Sequence, residues 1–68
     1  MRKTVRVKEL VRILEKHGFV LDRQVGSHAH YRHGDGRWTT IPAHNGDIRK
    51  GTLHAILKDV GMTLDDLD

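Results

Sequence analysis

Residues 26–42 read Gly26-Ser27-His28-Ala29-His30-Tyr31-Arg32-His33-Gly34-Asp35-Gly36-Arg37-Trp38-Thr39-Thr40-Ile41-Pro42, and this stretch decides the fold. From His28 to Arg32 the side chains alternate, His28, His30 and Arg32 against Ala29 and Tyr31, which is the period of a strand. His33-Gly34-Asp35-Gly36 supplies glycines where a hairpin turn needs positive φ. Arg37 to Pro42 alternates again, Thr39 and Ile41 against Trp38 and Thr40, and Pro42, lacking an N–H, should end that strand. Working outward, Gly26-Ser27 is a turn signal, and Phe19-Val20-Leu21-Asp22-Arg23-Gln24-Val25 is aromatic and β-branched enough for a preceding strand. The three runs predict antiparallel neighbours.

The flanks read as helices. Val7, Leu10, Val11 and Leu14 recur at i, i+3, i+4 and i+7, so residues 7–17 should bury one face, with Lys8, Glu9, Arg12, Glu15 and Lys16 on the other. Gly18 is the expected left-handed cap, and Lys16 and His17 suit the negative end of the dipole. No Ser, Thr, Asp or Asn immediately precedes Val7, and Thr4 is the nearest candidate cap. Residues 43–49 form a loop, and Lys50 to Val60 a second helix with Leu53, Ile56, Leu57 and Val60 inward, closed by Gly61. Thr63-Leu64-Asp65-Asp66 resembles a final turn capped by Thr63. The whole is an α+β fold, α-β-β-β-α, one domain over residues 1–68. Both helices should lie on one face of the three-stranded sheet and leave the other open. Ala29, Tyr31 and Ile41 then point to the core, while His28, His30 and Arg32 face out.

A chain of 68 residues has room for one core and buries only about 60% of the surface its unfolded form exposes. The absence of cysteine excludes disulfides and thiolate metal sites. No apolar run approaches the ~18–20 residues of a membrane span, and no signal-peptide stretch follows the basic N-terminus. The expectation is a soluble, cytoplasmic domain without a membrane partner. All twelve Lys and Arg lie in residues 1–58 beside five acids, a local charge of +7, and four aspartates crowd the last ten residues. Such a basic body suits a polyanion binder, although charge alone also fits a solvated surface with an acidic tail.

Six histidines narrow the chemistry. The α-β-β-β-α order with a basic surface is also that of double-stranded-RNA-binding domains, which read RNA by shape. On an open basic face, His28 is suited to taking a proton from a 2′-hydroxyl or giving one to a leaving 5′-oxygen, with Arg32 or Arg37 stabilising the charge that develops. RNA brings its own nucleophile, so neither metal nor cofactor is required. The competing reading makes His28 a phosphate or base contact in a non-catalytic RNA-binding module. His30 and His33 read as polar strand and turn residues. With His44 they could collect zinc, but small structural zinc sites usually include cysteine. His17 suits a helix C-terminus and His54 the solvent face of the second helix. Trp38 is expected at the edge of the core, base stacking being its other use.

Several stretches occur in order over residues 8–61: Lys8-Glu9-Leu10 through Glu15-Lys16-His17-Gly18-Phe19, Gly26-Ser27-His28, Tyr31-Arg32-His33, Thr40-Ile41-Pro42-Ala43-His44, and Ile48-Arg49-Lys50-Gly51-Thr52-Leu53 on to Ile56-Leu57-Lys58. Together they resemble the HicA (YcfA-like) toxin family of toxin–antitoxin pairs. The resemblance implies a double-stranded-RNA-binding-like fold and the toxin role in a type II pair. It also implies ribosome-independent cleavage of mRNA and inhibition by a HicB-type antitoxin that covers the active surface. The family's active histidine follows Gly-Ser, here His28. A second histidine often comes directly after it in the family, where this chain has Ala29 and then His30. Arg6 and Val7 stand where the family commonly has Ser before Gly-Lys-Glu, so the usual N-cap is absent. Beside this, the start of the second helix offers amides for a phosphate next to Arg49 and Lys50, with Gly51 allowing close approach. The expected site is His28 as catalyst with His30 as candidate partner, and Gly26, Ser27, Arg32, Arg37, Arg49 and Lys50 on RNA, with no metal and no cofactor.

Overall fold

The computed structural model describes residues 4–67; the ends of the expected 1–68 domain, including Asp68 of the acidic tail, lie outside the described residues. Helix α1 (Val7–Lys16) leads into strands β1 (Val20–Val25), β2 (His28–Arg32) and β3 (Trp38–Pro42), then helix α2 (Lys50–Val60) and a 3₁₀ turn at Leu64–Leu67. The strands pair antiparallel in chain order. Ala29, Tyr31, Thr39 and Ile41 are buried, together with Val7, Leu10 and Leu14 of α1 and Leu53, Ile56, Leu57 and Val60 of α2. The alternation read from the sequence therefore sets the core. Thr39, fully buried, keeps its hydroxyl satisfied by donating to Asp59 Oδ2 at 2.9 Å.

Several boundaries differ from the sequence expectation for definite reasons. Phe19 does not open β1. It turns inward after Gly18 (φ +93°), donates its N–H to Leu14 O at 3.0 Å, and is buried. Strand β3 begins at Trp38 because Arg37 closes the turn, its carbonyl accepting from His33 N–H at 2.9 Å. Thr4 is not the cap of α1; Arg6 occupies that position. The first helical amides are satisfied from elsewhere: Val7 N–H donates to Gly46 O at 3.0 Å and Arg6 N–H to Glu9 Oε1 at 3.4 Å. Ile48 N–H donates to Val5 O at 2.8 Å, and both residues are buried, sewing the loop before α2 to the start of α1.

Trp38 is 61% exposed, on the face away from Thr39 and Ile41, and not at the edge of the core. Strand β1 also lies outside the helical layer: all six of its residues are exposed, including Leu21 and Gln24, which are in register with core-facing Tyr31 and Ala29. A register shift between Leu21 and Arg23 marks a bulge at Asp22. Among the described residues no helix is long and apolar enough to cross a membrane.

The helices share a direction. Gly18, after α1, sits against His33, so close that a Cβ there would lie 3.0 Å from His33 Nε2. The C-terminal end of α2 meets the start of β3 through Asp59 on Thr39 and Val60 O on Arg37. Both helix N-termini thus point toward the opposite end of the sheet, where His28 pairs with Pro42.

Candidate functional site

The turn between β1 and β2 carries Gly26 at φ +58° followed by Ser27 with negative φ, the arrangement in which type II′ hairpin turns place glycine first. Gln24 Nε2 donates to Gly26 O at 3.1 Å, and Ser27 O accepts from Ala43 N–H at 2.7 Å. The turn is therefore held from both of its neighbours. His28 follows directly, exposed on the uncovered face between Val25 and Pro42, and its imidazole makes no hydrogen bond among the described residues. His30 lies two residues along on the same face, half-buried, with Nδ1 3.0 Å from Thr40 Oγ1, a bond that fixes its ring.

Arg49 and Lys50 are exposed at the start of α2, where Arg49 is the N-cap and, among the described residues, makes no side-chain cap bond to the free amides. A Cβ at Gly51 would meet nothing within 4 Å, so no contact inside the fold demands glycine there. The Ser27–Ala43 bond also brings His44, its Nδ1 2.9 Å from Asn45 O, to this end of the sheet. Sequence reading considered His44 only for zinc. The pairing of His28 with Pro42 is the signal that places His44 just beyond it. Among the described residues no three His, Asp or Glu side chains gather as metal ligands.

The remaining two expected RNA contacts lie elsewhere. Arg32 is at the far end of β2, on the open face, with Nη1 3.9 Å from Asp22 Oδ1. Arg37 is committed inside the fold. Its Nε donates to Asp35 Oδ2 at 2.8 Å and its Nη1 to Val60 O, and the guanidinium sits 5.1 Å from the centre of the Phe19 ring. The His33 ring meets Phe19 edge-on at 5.0 Å. Arg37 N–H donates to Asp35 Oδ1 at 3.0 Å; this bond above all, with the Arg37 guanidinium and His33 adding, holds the Asp35 carboxyl below its usual range. Beneath the sheet, burial, then the Glu15 carboxylate, pushes the Tyr31 phenol up.

By register the open face is a three-by-three array: Val20, Arg32 and Trp38; Arg23, His30 and Thr40; Val25, His28 and Pro42. A cleft of about 240 Å³ in it is lined by Asp22, Arg23, His30, Tyr31, Arg32 and Trp38. The family model of the HicA toxin of bacterial toxin–antitoxin systems matches residues 7–62, from the first residue of α1 to just past the end of α2. The chain belongs to the HicA toxin family. Among curated proteins there is no match. Membership makes it the toxin half of a pair, with an antitoxin as its partner. The matched span of this HicA-family chain contains every residue of the candidate site.

Proposed function

We propose that this HicA-family toxin is an endoribonuclease that cleaves messenger RNA without the ribosome, with His28 as its general base or general acid. One observation carries the reading. His28 stands exposed beside a turn pinned on both sides, at the end of the sheet toward which both helix N-termini point. Imidazole exchanges protons near neutral pH, and the start of α2, where Arg49 and Lys50 stand, favours a phosphate. In the proposed step the RNA 2′-oxygen, losing its proton, attacks the adjacent phosphorus and the bond to the 5′-oxygen breaks. A 2′,3′-cyclic phosphate and a 5′-hydroxyl result. Arg49 and Lys50 hold the phosphate, and His30, its ring fixed by Thr40, is the proposed proton partner. The RNA supplies the nucleophile, so the step requires no metal or cofactor.

The antitoxin is proposed to be of the HicB type and to cover the His28 face with acidic groups, since complementary charge speeds docking and covering that face blocks RNA. The setting is the cytoplasm, where messenger RNA is found. A second reading, a non-catalytic RNA-binding module, draws support from the His28 imidazole having no hydrogen bond among the described residues to orient it. Incubating labelled single-stranded RNA with the protein in EDTA separates the two. The expected outcome is cleavage with 5′-hydroxyl ends, reduced about 10²–10⁴-fold by His28→Ala. Retention without cleavage selects the binding module, and normal cleavage by His28→Ala removes the catalytic assignment.

A further inference from the structure

We propose that Trp38, flanked by Arg23, Arg32 and His30, is a stacking site for one unpaired base of the RNA strand. It lies on β3 opposite Arg32, which is four residues along β2 from His28, about 13 Å at the rise of a strand. The inference rests on reading the His28 face as the RNA face, and it adds to that reading a residue that grips a base.

Trp38 is the only tryptophan in the chain, and the fold leaves the residue 61% exposed on a sheet face that no helix covers among the described residues. A large aromatic ring gains most when it is removed from water, so one left exposed beside charges points to something outside the fold that covers it. Its neighbours indicate what. Arg32 is directly opposite in register, and Arg23 and His30 line the same cleft. Cations around an aromatic platform are the arrangement by which proteins hold single-stranded nucleic acid, base on the ring and backbone on the charges. Asp22, also in the cleft, sharpens the assignment. Its carboxylate repels a phosphate but can accept a hydrogen bond from a base amino group. The cleft therefore takes the base and leaves the backbone to Arg23 and Arg32. An apolar anchor from a protein partner fits less well, because Val20 is the only aliphatic residue of that row.

The test exploits the single tryptophan. In the His28→Ala protein, which separates binding from cleavage, an eight-nucleotide oligoadenylate is titrated while Trp38 fluorescence is followed. Saturable quenching is expected, and polyphosphate, which has charge but no bases, should produce none. Trp38→Ala should weaken oligoadenylate binding roughly five- to 150-fold, the range for one base–aromatic stack, while Trp38→Phe retains most of it. The salt dependence should keep its slope, because a stack releases no counterions. Unchanged fluorescence at saturation, or unchanged affinity in Trp38→Ala, overturns the proposal. So does a Trp38→Ala protein that binds RNA normally but loses its antitoxin, which would assign the ring to the protein partner. Cleavage by the protein with His28 intact is scored separately, so the stacking site can fail while the catalytic reading stands, and the reverse.

Discussion

Replacing Arg37 with alanine should destabilise the protein without loosening its grip on RNA. The guanidinium donates to Val60 O at the end of α2, and a hydrogen bond from a charged group contributes about 1.5–3 kcal/mol. Its position over Phe19 adds about 0.5–1 kcal/mol, and the solvent-screened pair with Asp35 adds little. The side chain keeps 39% of its surface in water, which favours the lower half of these ranges. A loss of about 2–3 kcal/mol follows, and each kcal/mol moves the midpoint of so small a domain by about 4–8 °C. Thermal unfolding followed by circular dichroism should therefore show Arg37→Ala melting about 10–20 °C below the parent. Arg37→Lys should fall in between, since it keeps the charge but not the fork. Oligonucleotide binding, measured below the melting transition, should keep its salt dependence. An unchanged midpoint, together with a slope of log affinity on log salt flatter by about 0.7, would refute the reasoning and return Arg37 to the phosphate contacts.

Lys50→Ala should do the opposite, leaving the midpoint in place and flattening the salt slope by a little under one unit for all RNA sequences alike. Gly26→Ala should cost about 1–2 kcal/mol in a urea titration. Gly26 has φ +58° and open space around it, so the cost is backbone strain without a clash. Cleavage should fall further than stability, because that turn aims His28. The lowered pKa of Asp35 gives stability that is fully present above the unfolded carboxylate pKa, near 3.9, and is lost as pH falls through the folded value. Asp35→Asn should therefore show a shallower loss of stability than the parent on acidification below about pH 4, and acid titrations with parallel slopes would contradict this.

The middle of the chain was legible because period-two patterning is a strong signal. Ala29, Tyr31, Thr39 and Ile41 point inward as the alternation requires, and α2 runs from Lys50 to Val60 as its apolar spacing predicts. The same alternation already assigned Trp38 to the outer face. The preference for burying a large ring was the weaker guide. Val5 and Ile48 were not legible as core, since each is a lone apolar residue in a segment without period, and only tertiary pairing brings them together. Of the candidate site, Gly26, Ser27, His28, Arg49 and Lys50 were expected from turn and helix signals, and the structure has the first three at the β1–β2 turn and the last two at the start of α2. Arg37 could not be separated from them by composition. What sets it apart is its bond to a carbonyl 23 residues away, a partner that no local pattern announces.

The exposure of β1 has a consequence for how the molecule opens. Detaching that strand breaks its ladder with β2 but withdraws no buried side chain. Its amides should therefore exchange with deuterium through local fraying, well before those of β3 or α2, which are released only by global unfolding. The histidine turn sits at the junction of the two regimes, one side on the fraying strand and the other bonded through Ser27 to Ala43 on the protected side. A partner that clamps β1 would slow its exchange and steady that turn in the same act.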